Sequence, residues 1–269
     1  MKWGHMNPPP ITLLTDFGLR DSYVGVIKGV IAGIAPAVPV LDLTHQIPPQ
    51  DILAARFNLA TAYPYFPTGT VHVVVVDPGV GSHRRAIALQ LDQGMLVGPD
   101  NGVFSGVLAD HPLHTAVELT NPNYWRTAHP SSTFHGRDIF APAAAHLAIG
   151  TPLAQLGRTI DPSTLVHTCL PAYAQDGTRL KGMVQYIDHF GNAVTTIPAH
   201  AVAAVEWSVA IGDRLIPSQS SYADSAIGTP LALIGSHGWV EVAINGGSAQ
   251  SILHLNWRQE VDVIVHRSV

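Results

Sequence analysis

A single cysteine, Cys169, stands among 269 residues, which excludes an internal disulfide framework and any zinc site built from several thiolates. A reducing, cytoplasmic setting is the expectation. Charge is scarce as well: Asp, Glu, Lys and Arg make up 12% of the chain, and 19 acids outnumber 14 bases, giving −5 with histidine neutral. No cationic excess remains to neutralise a phosphate backbone or an anionic bilayer, so neither nucleic acid nor membrane is expected as a partner. No apolar run reaches the roughly 18 residues of a bilayer span. The longest, Gly29 to Leu41, is broken by Pro36 and Pro39. The segment MKWGHMNPPP at 1–10 lacks the apolar centre of a secretory signal and reads as a loose arm. HExxH and GxGxxG are absent, and Asp77-Pro78-Gly79-Val80-Gly81 is not followed by the Lys and Ser/Thr of a phosphate loop.

Apolar residues make up 46% of the chain, enough for a sizeable core, and the length suits two domains. ITLL at 11–14 and the β-branched Thr70 to Val76 read as buried strands, Val38 to Leu43 as another strand, with shorter ones at Ala86–Leu89 and Met95–Val97. Helices are expected from Ser22 to Pro36, from Asp51 through Ala62, from Gly102 to Ala109 and from Asp138 to Ile149. Gly25, Gly29 and Gly33 form a smooth stripe that suggests close helix packing. This alternation predicts an α/β domain with a largely parallel sheet over 11–170. Beyond Leu156 the texture changes to short alternating runs, among them 183–187, 194–197, 209–211, 231–234, 240–244 and 261–265, which predict a smaller all-β, barrel-like domain over 178–269.

In α/β sheets ligands bind beyond the carboxyl ends of strands. Three acids stand there: Asp16 after ITLL, Asp77 after VHVVVV, and Asp100-Asn101 after MLVG. Each taken alone is more often a turn cap, but their shared position raises the joint odds of a site. Ser82-His83-Arg84-Arg85 brings positive charge back toward Asp77, either for chemistry or as a salt bridge. Ser131 to Asp138 is dense in polar groups at a helix start, and His135 is the most suggestive of 15 histidines. In the second half, Asp188, Phe190 and Asn192 can hold an amine, stack on a flat base and bond its edge, or simply form a hairpin turn.

The ordered set TDFG (15–18), DLTHQIPPQD (42–51), VVDPGVG (75–81), GPDNG (98–102), TFHGRDIFAPAAAHLA (133–148), IDHFGN (187–192), GSHG and INGG resembles the S-adenosyl-L-methionine (SAM) hydroxide adenosyltransferases, or SAM hydrolases, relatives of the SAM-dependent fluorinase and chlorinase. The resemblance implies a catalytic set of Asp77, Arg84 and His135. It implies Asp16 on the ribose hydroxyls, Phe134 in the substrate site, and Asp188, Phe190, Asn192 and Ser236 on the methionine amine, the adenine and the methionine carboxylate. It further implies attack of water or hydroxide at ribose C5′, no cofactor or metal beyond the substrate itself, and a homotrimer with sites between subunits. Arg84 cannot act as a base, whereas His135 can accept a proton and Asp77 can share that role. Where the fluorinase has Tyr this chain has Asp77, and it lacks the fluorinase's long insertion, which favours hydrolysis over halogenation. His237 departs from several relatives beside the serine. Three alternatives remain open: a halogenase, a nucleoside hydrolase that would need more oxygen ligands than Phe17 and Arg20 leave near Asp16, and a non-catalytic SAM or adenosine sensor.

Overall fold

The computed structural model describes residues 8–203 and 205–266. Two compact units divide the chain, Met1–Thr168 and Cys169–Val269. Most of the expected arm at 1–10 lies outside the described residues, and 8–10 carry no regular structure.

In the first unit, β1 (Ile11–Thr15) is wholly buried, and α1 (Tyr23–Ile34) follows it. Next come β2 (Val40–Thr44) and α2 (Ile52–Ala62), whose start is fixed by the Asp51 carboxylate accepting the Ala54 N–H at 2.9 Å. Then follow β3 (Thr70–Val75), β4 (Ala86–Leu91), β5 (Gly94–Pro99), α3 (Ser105–Asp110) and β6 (Leu113–Glu118). One turn of π-helix, Gly136–Phe140, leads into α4 (Ala141–Ala148), and β7 (Arg158–Thr159) ends the sheet.

The sheet order is β2-β1-β3-β5-β4-β6-β7. The first four strands are parallel, as the run of β-branched residues predicts. Past β5 the pairing turns antiparallel. The cause is local: only Asp92 and Gln93 join β4 to β5, and a two-residue connection serves antiparallel strands, since parallel ones need a crossover. The core gathers Ile27 and Ile31 of α1, Val71, Val73 and Val75 of β3, and the alanines of α4.

The glycine stripe differs from expectation. A Cβ at Gly25, Gly29 or Gly33 meets nothing within 4 Å, because α1 packs through Val24, Ile27 and Ile31 on its other face.

In the second unit, β8 (Ala174–Asp176) pairs with β9 (Arg179–Ile187). The remaining strands are β10 (Ala193–Pro198), β11 (Glu206–Ile211), β12 (Arg214–Pro217), β13 (Pro230–Ile234), β14 (Trp239–Ile244) and β15 (Glu260–His266), with a short α5 (Ala249–Leu253) before the last. Their order is β12-β11-β15-β9-β10-β14-β13, all antiparallel, and a bridge between Ser218 and Ala232 nearly closes the ring into a barrel. Val184, Val209, Val242 and Val263 fill it.

His72 is the polar exception inside the parallel strands. It sits 1% exposed on β3 opposite Thr12, whose hydroxyl lies 2.8 Å from Nδ1, with the rings of Tyr63 and Phe66 beside it. Burial lowers its pKa from 6.5 to about 4, so the folded state refuses a proton that the unfolded chain accepts. The stability tied to this group is intact above pH 6.5 and is lost as pH falls toward 4, by about 3 kcal/mol at the end of that window. Urea unfolding near neutrality and at about pH 5 checks this. The midpoint of the natural protein should fall further than that of His72→Gln, and equal falls in the two proteins would place the acid sensitivity elsewhere.

Candidate active site

The carboxyl ends of the adjacent strands β1 and β3 deliver Asp16 and Asp77 to one cleft of about 480 Å³, also lined by Phe17, Tyr23, Gln50, Phe134 and His135. That size falls within the range of small-molecule sites.

After β1 the chain is held by the segment 45–50. The Thr15 hydroxyl accepts the Phe17 N–H at 3.2 Å and lies 2.8 Å from His45 Nδ1, while the His45 carbonyl accepts the Gly18 N–H at 2.8 Å. Gln50 then donates its own N–H to Asp16 Oδ2 at 2.8 Å. It does so from the third position of a turn closed by the Asp51 N–H donating to the Pro48 carbonyl at 3.0 Å, with φ of 68°, a left-handed conformation that costs a non-glycine residue on the order of 1 kcal/mol. Asp16 Oδ1 makes no hydrogen bond among the described residues.

After β3 the chain folds back on itself. Val80 N–H donates to the Asp77 carbonyl, and Ser82 donates from backbone and hydroxyl to the Gly79 carbonyl. Gly81 has φ of 77°, and a Cβ there would lie 2.3 Å from the Ser132 carbonyl, so glycine lets this loop meet the loop before α4. The fold-back returns Arg84 to Asp77. Arg84 Nε donates to both carboxylate oxygens at 2.9 and 3.0 Å, and Nη2 donates to Oδ2 and to His135 Nδ1, the latter at 2.8 Å. Both side chains of the ion pair are nearly closed to solvent, 9% exposed for Arg84 and 5% for Asp77. The guanidinium also lies over the Phe140 ring at 5.3 Å.

That arrangement assigns the histidine. A guanidinium has no acceptor, so Nδ1 accepts and the ring proton resides on Nε2. Burial, and then the Arg84 charge, push the His135 pKa below its usual value, against the smaller opposing pull of Asp77 and Asp138. The imidazole is therefore neutral near pH 7.

Asp138 holds the loop that carries His135. Its buried carboxylate accepts from Arg126 Nε at 2.7 Å, from Arg137 Nε and Nη2 at 2.8 Å each, and from the Ser131 N–H at 2.9 Å. Burial alone would raise its pKa, but Arg137, Arg126 and the Ser131 amide together hold it well below the carboxylate range. The sequence marks Asp138 only as a helix start; the adjacent Arg137 is the sole local hint of this role. The rings of Phe17, Tyr23 and Phe134 pack with centroids 5.4–5.9 Å apart, Phe134 edge to face with the other two, and close the apolar side of the cleft.

The third strand-end acid behaves differently. Asp100 is spent on Arg85 and on the Val166 N–H, and Asn101 on the Val76 carbonyl, so this pair ties loops together.

In the second unit, Asp188 Oδ1 accepts the N–H groups of Phe190 and Asn192 at 2.9 and 2.8 Å, and Oδ2 accepts Asn192 Nδ2 at 3.0 Å. This turn leaves Phe190 72% exposed beside buried Asn192. Both line a cleft of about 500 Å³ with Tyr222 and Ile244–Gly247. Ser236 stands on the exposed β13–β14 turn and does not line that cleft. Tyr222 belongs to no sequence motif above, and only the folded barrel brings it beside Phe190. Among the described residues, no three His, Cys, Asp or Glu side chains group closely enough to hold a metal ion, and no helix is long and apolar enough to cross a membrane.

Models of the SAM hydroxide adenosyltransferase N-terminal and C-terminal domains match residues 11–157 and 182–262. A protein of Thermus thermophilus named (R)-S-adenosyl-L-methionine hydrolase is 44% identical over 252 residues, covering 91% of this chain and 96% of its own. Its namesake from Salinispora arenicola is 42% identical over 246 residues, covering 91% and 94%. A fluorinase of an Actinoplanes species is 27% identical over 274 residues, covering 88% and 91%. Among solved structures, an uncharacterized conserved protein from Thermotoga maritima superposes with a TM-score of 0.89 at 33% identity, covering 94% of this chain and 99% of that one. With both units matched in order, this chain belongs to the SAM hydroxide adenosyltransferase family.

Proposed function

We propose that the protein hydrolyses SAM to adenosine and methionine, with water or hydroxide attacking ribose C5′. The observation that carries this reading is the Arg84 guanidinium shared by Asp77 and a neutral His135 at the end of β3, in a chain whose relatives are named for this hydrolysis. The C5′–S bond breaks with its electron pair passing to sulfur, which leaves as a neutral thioether and needs no proton donor. A C5′–O bond forms, and one proton of the water is released.

Each residue then has a role consistent with its bonds. Arg84 supplies a fixed positive charge that stabilises developing hydroxide. His135 offers its Nε2–H to orient the water, because its Nδ1 lone pair is engaged. Asp77 is the one member of the set with spare lone pairs, which makes it the first proton acceptor. Asp16, with one oxygen unbonded, takes the ribose hydroxyls beside the ring of Phe134. Phe190 and Asn192 take the adenine, Ser236 the methionine carboxylate, and Asp188 the amine through the capacity its own loop leaves unused. Halide transfer is disfavoured, since the Asp77 carboxylate would face the anion at close range in a partly desolvated site. We further propose a cytoplasmic setting, on the single cysteine, and, on the family resemblance, a homotrimer in which the Asp16–Asp77 set of one subunit acts with the Asp188–Asn192 set of its neighbour.

Incubation with SAM in ¹⁸O-water followed by chromatography and mass spectrometry tests the reaction. Adenosine labelled at its 5′-oxygen, together with methionine, is expected. Free adenine would indicate glycosidic cleavage, a halogenated nucleoside formed in saturating chloride or fluoride would indicate a halogenase, and bound but unchanged SAM a sensor.

Asp77→Ala, Arg84→Ala and His135→Ala should each lower kcat by about 10²-fold or more while leaving KM for SAM nearly unchanged. Because His135 resists protonation, the acid limb of kcat/KM should lie below pH 6.5. Wild-type turnover in both Asp77→Ala and His135→Ala would remove the set from the mechanism.

Two inactive proteins, Asp77→Ala and Asn192→Ala, unfolded and refolded together, should regain activity at about a quarter of random interfaces. No recovery from demonstrably mixed oligomers would mean that each site is built within one chain.

A further inference from the structure

The second unit holds a buried carboxylate that the roles above leave unused. Glu241 of β14 is 3% exposed, and both of its oxygens are engaged. Tyr222 donates its hydroxyl to Oε1 at 2.7 Å, and His237 Nε2 donates to Oε2 at 3.1 Å. His237 Nδ1 accepts the Trp239 N–H at 3.2 Å, so the ring proton resides on Nε2 and a single tautomer satisfies both contacts. Gly235 makes room for this pairing: a Cβ there would stand 2.4 Å from the His237 ring and 2.9 Å from Glu241 Oε2. One carboxylate thus ties together two loops, the β12–β13 loop that carries Tyr222 to the cleft of Phe190 and Asn192, and the β13–β14 turn that carries Ser236. A buried carboxylate is tolerated only with such partners, and losing one leaves its desolvation uncompensated.

We propose that Glu241 is a positioning residue for substrate selection: by locking the His237 ring it sets the Ser236 turn to receive the carboxylate of the amino-acid end of the substrate, and by holding the Tyr222 hydroxyl it sets that ring at the Phe190–Asn192 cleft. The inference rests on the reading of Ser236 as the methionine-carboxylate ligand. The gain is discrimination. A preset turn distinguishes a substrate carrying a carboxylate from one lacking it, whereas a loose turn does not.

The test compares SAM with its decarboxylated analogue, which keeps the sulfonium and nucleoside, in steady-state kinetics of the full chain and three variants. Glu241→Leu keeps the bulk of the side chain and removes both acceptors. Gly235→Ala drives the ring off the carboxylate with no change of charge, and serves if the first variant folds poorly. Both should raise KM for SAM roughly tenfold, leave kcat within about twofold, and leave KM for the analogue unchanged, so that the preference for SAM collapses. Equal increases for both substrates, or an intact preference, would overturn the role of Glu241. Ser236→Ala is the control for the underlying reading. If it keeps the natural preference, the Ser236 assignment fails and this inference with it; if it loses the preference while Glu241→Leu and Gly235→Ala keep it, only the role of Glu241 fails.

Discussion

The candidate site turns on one buried positive charge. Arg84 is nearly closed to solvent, and a guanidinium in that position is tolerated only where partners replace its water. Asp77 supplies the countercharge and His135 a neutral acceptor, so the needs of the cation dictate what both neighbours must be. The histidine is held unprotonated with a defined tautomer, and the carboxylate is held in place as the partner of the cation. The supporting parts follow from the same demand. The tight 77–84 loop must return Arg84 to Asp77, Gly81 must let that loop meet residues 131–133, and Asp138 with its two arginines must hold His135 within reach.

The same logic recurs in the barrel with the sign reversed. There the buried charge is the Glu241 carboxylate, and its partners are a phenol and an imidazole N–H. In both units a neighbour of fixed role dictates which nitrogen of a histidine carries the proton. The two cases differ in reach: Arg84 returns to an acid seven residues earlier in the chain, whereas Glu241 joins the connections on either side of β13.

Much of this was legible in the sequence, for identifiable reasons. Buried parallel strands announce themselves as β-branched runs, and Asp51 marks the start of α2 because a carboxylate caps free amides. Asp77 and Arg84 stand close enough along the chain for a charge pairing to be read directly. The sheet's antiparallel half was not legible, since β6 is partly exposed, β7 is two exposed residues, and strand direction depends on how β4 turns into β5. The glycine stripe of α1 was legible as a pattern but misread as a packing surface, because spacing alone does not say which helix face meets the core. Asp100 looked equivalent to Asp16 and Asp77 because its role rests on Arg85 and Val166, the latter 66 residues away. Tyr222 and Glu241 were invisible for the same reason, as their pairing exists only once β13 and β14 lie side by side.

The strained backbone of Gln50 makes the cleft wall and its carboxylate interdependent. A left-handed glutamine persists only while something holds it, and two bonds do so here: its own N–H to the Asp16 carboxylate and the Asp51 N–H to the Pro48 carbonyl. If the Asp16 acceptor is taken away, the turn bond alone opposes relaxation toward ordinary backbone angles, a relaxation that would carry with it a residue lining the cleft. Kinetic losses on altering Asp16 therefore combine a missing ligand contact with a less firmly held wall. By the same linkage, a glycine at position 50 would hold the bent backbone at little cost while removing the side chain, and so separate the two contributions.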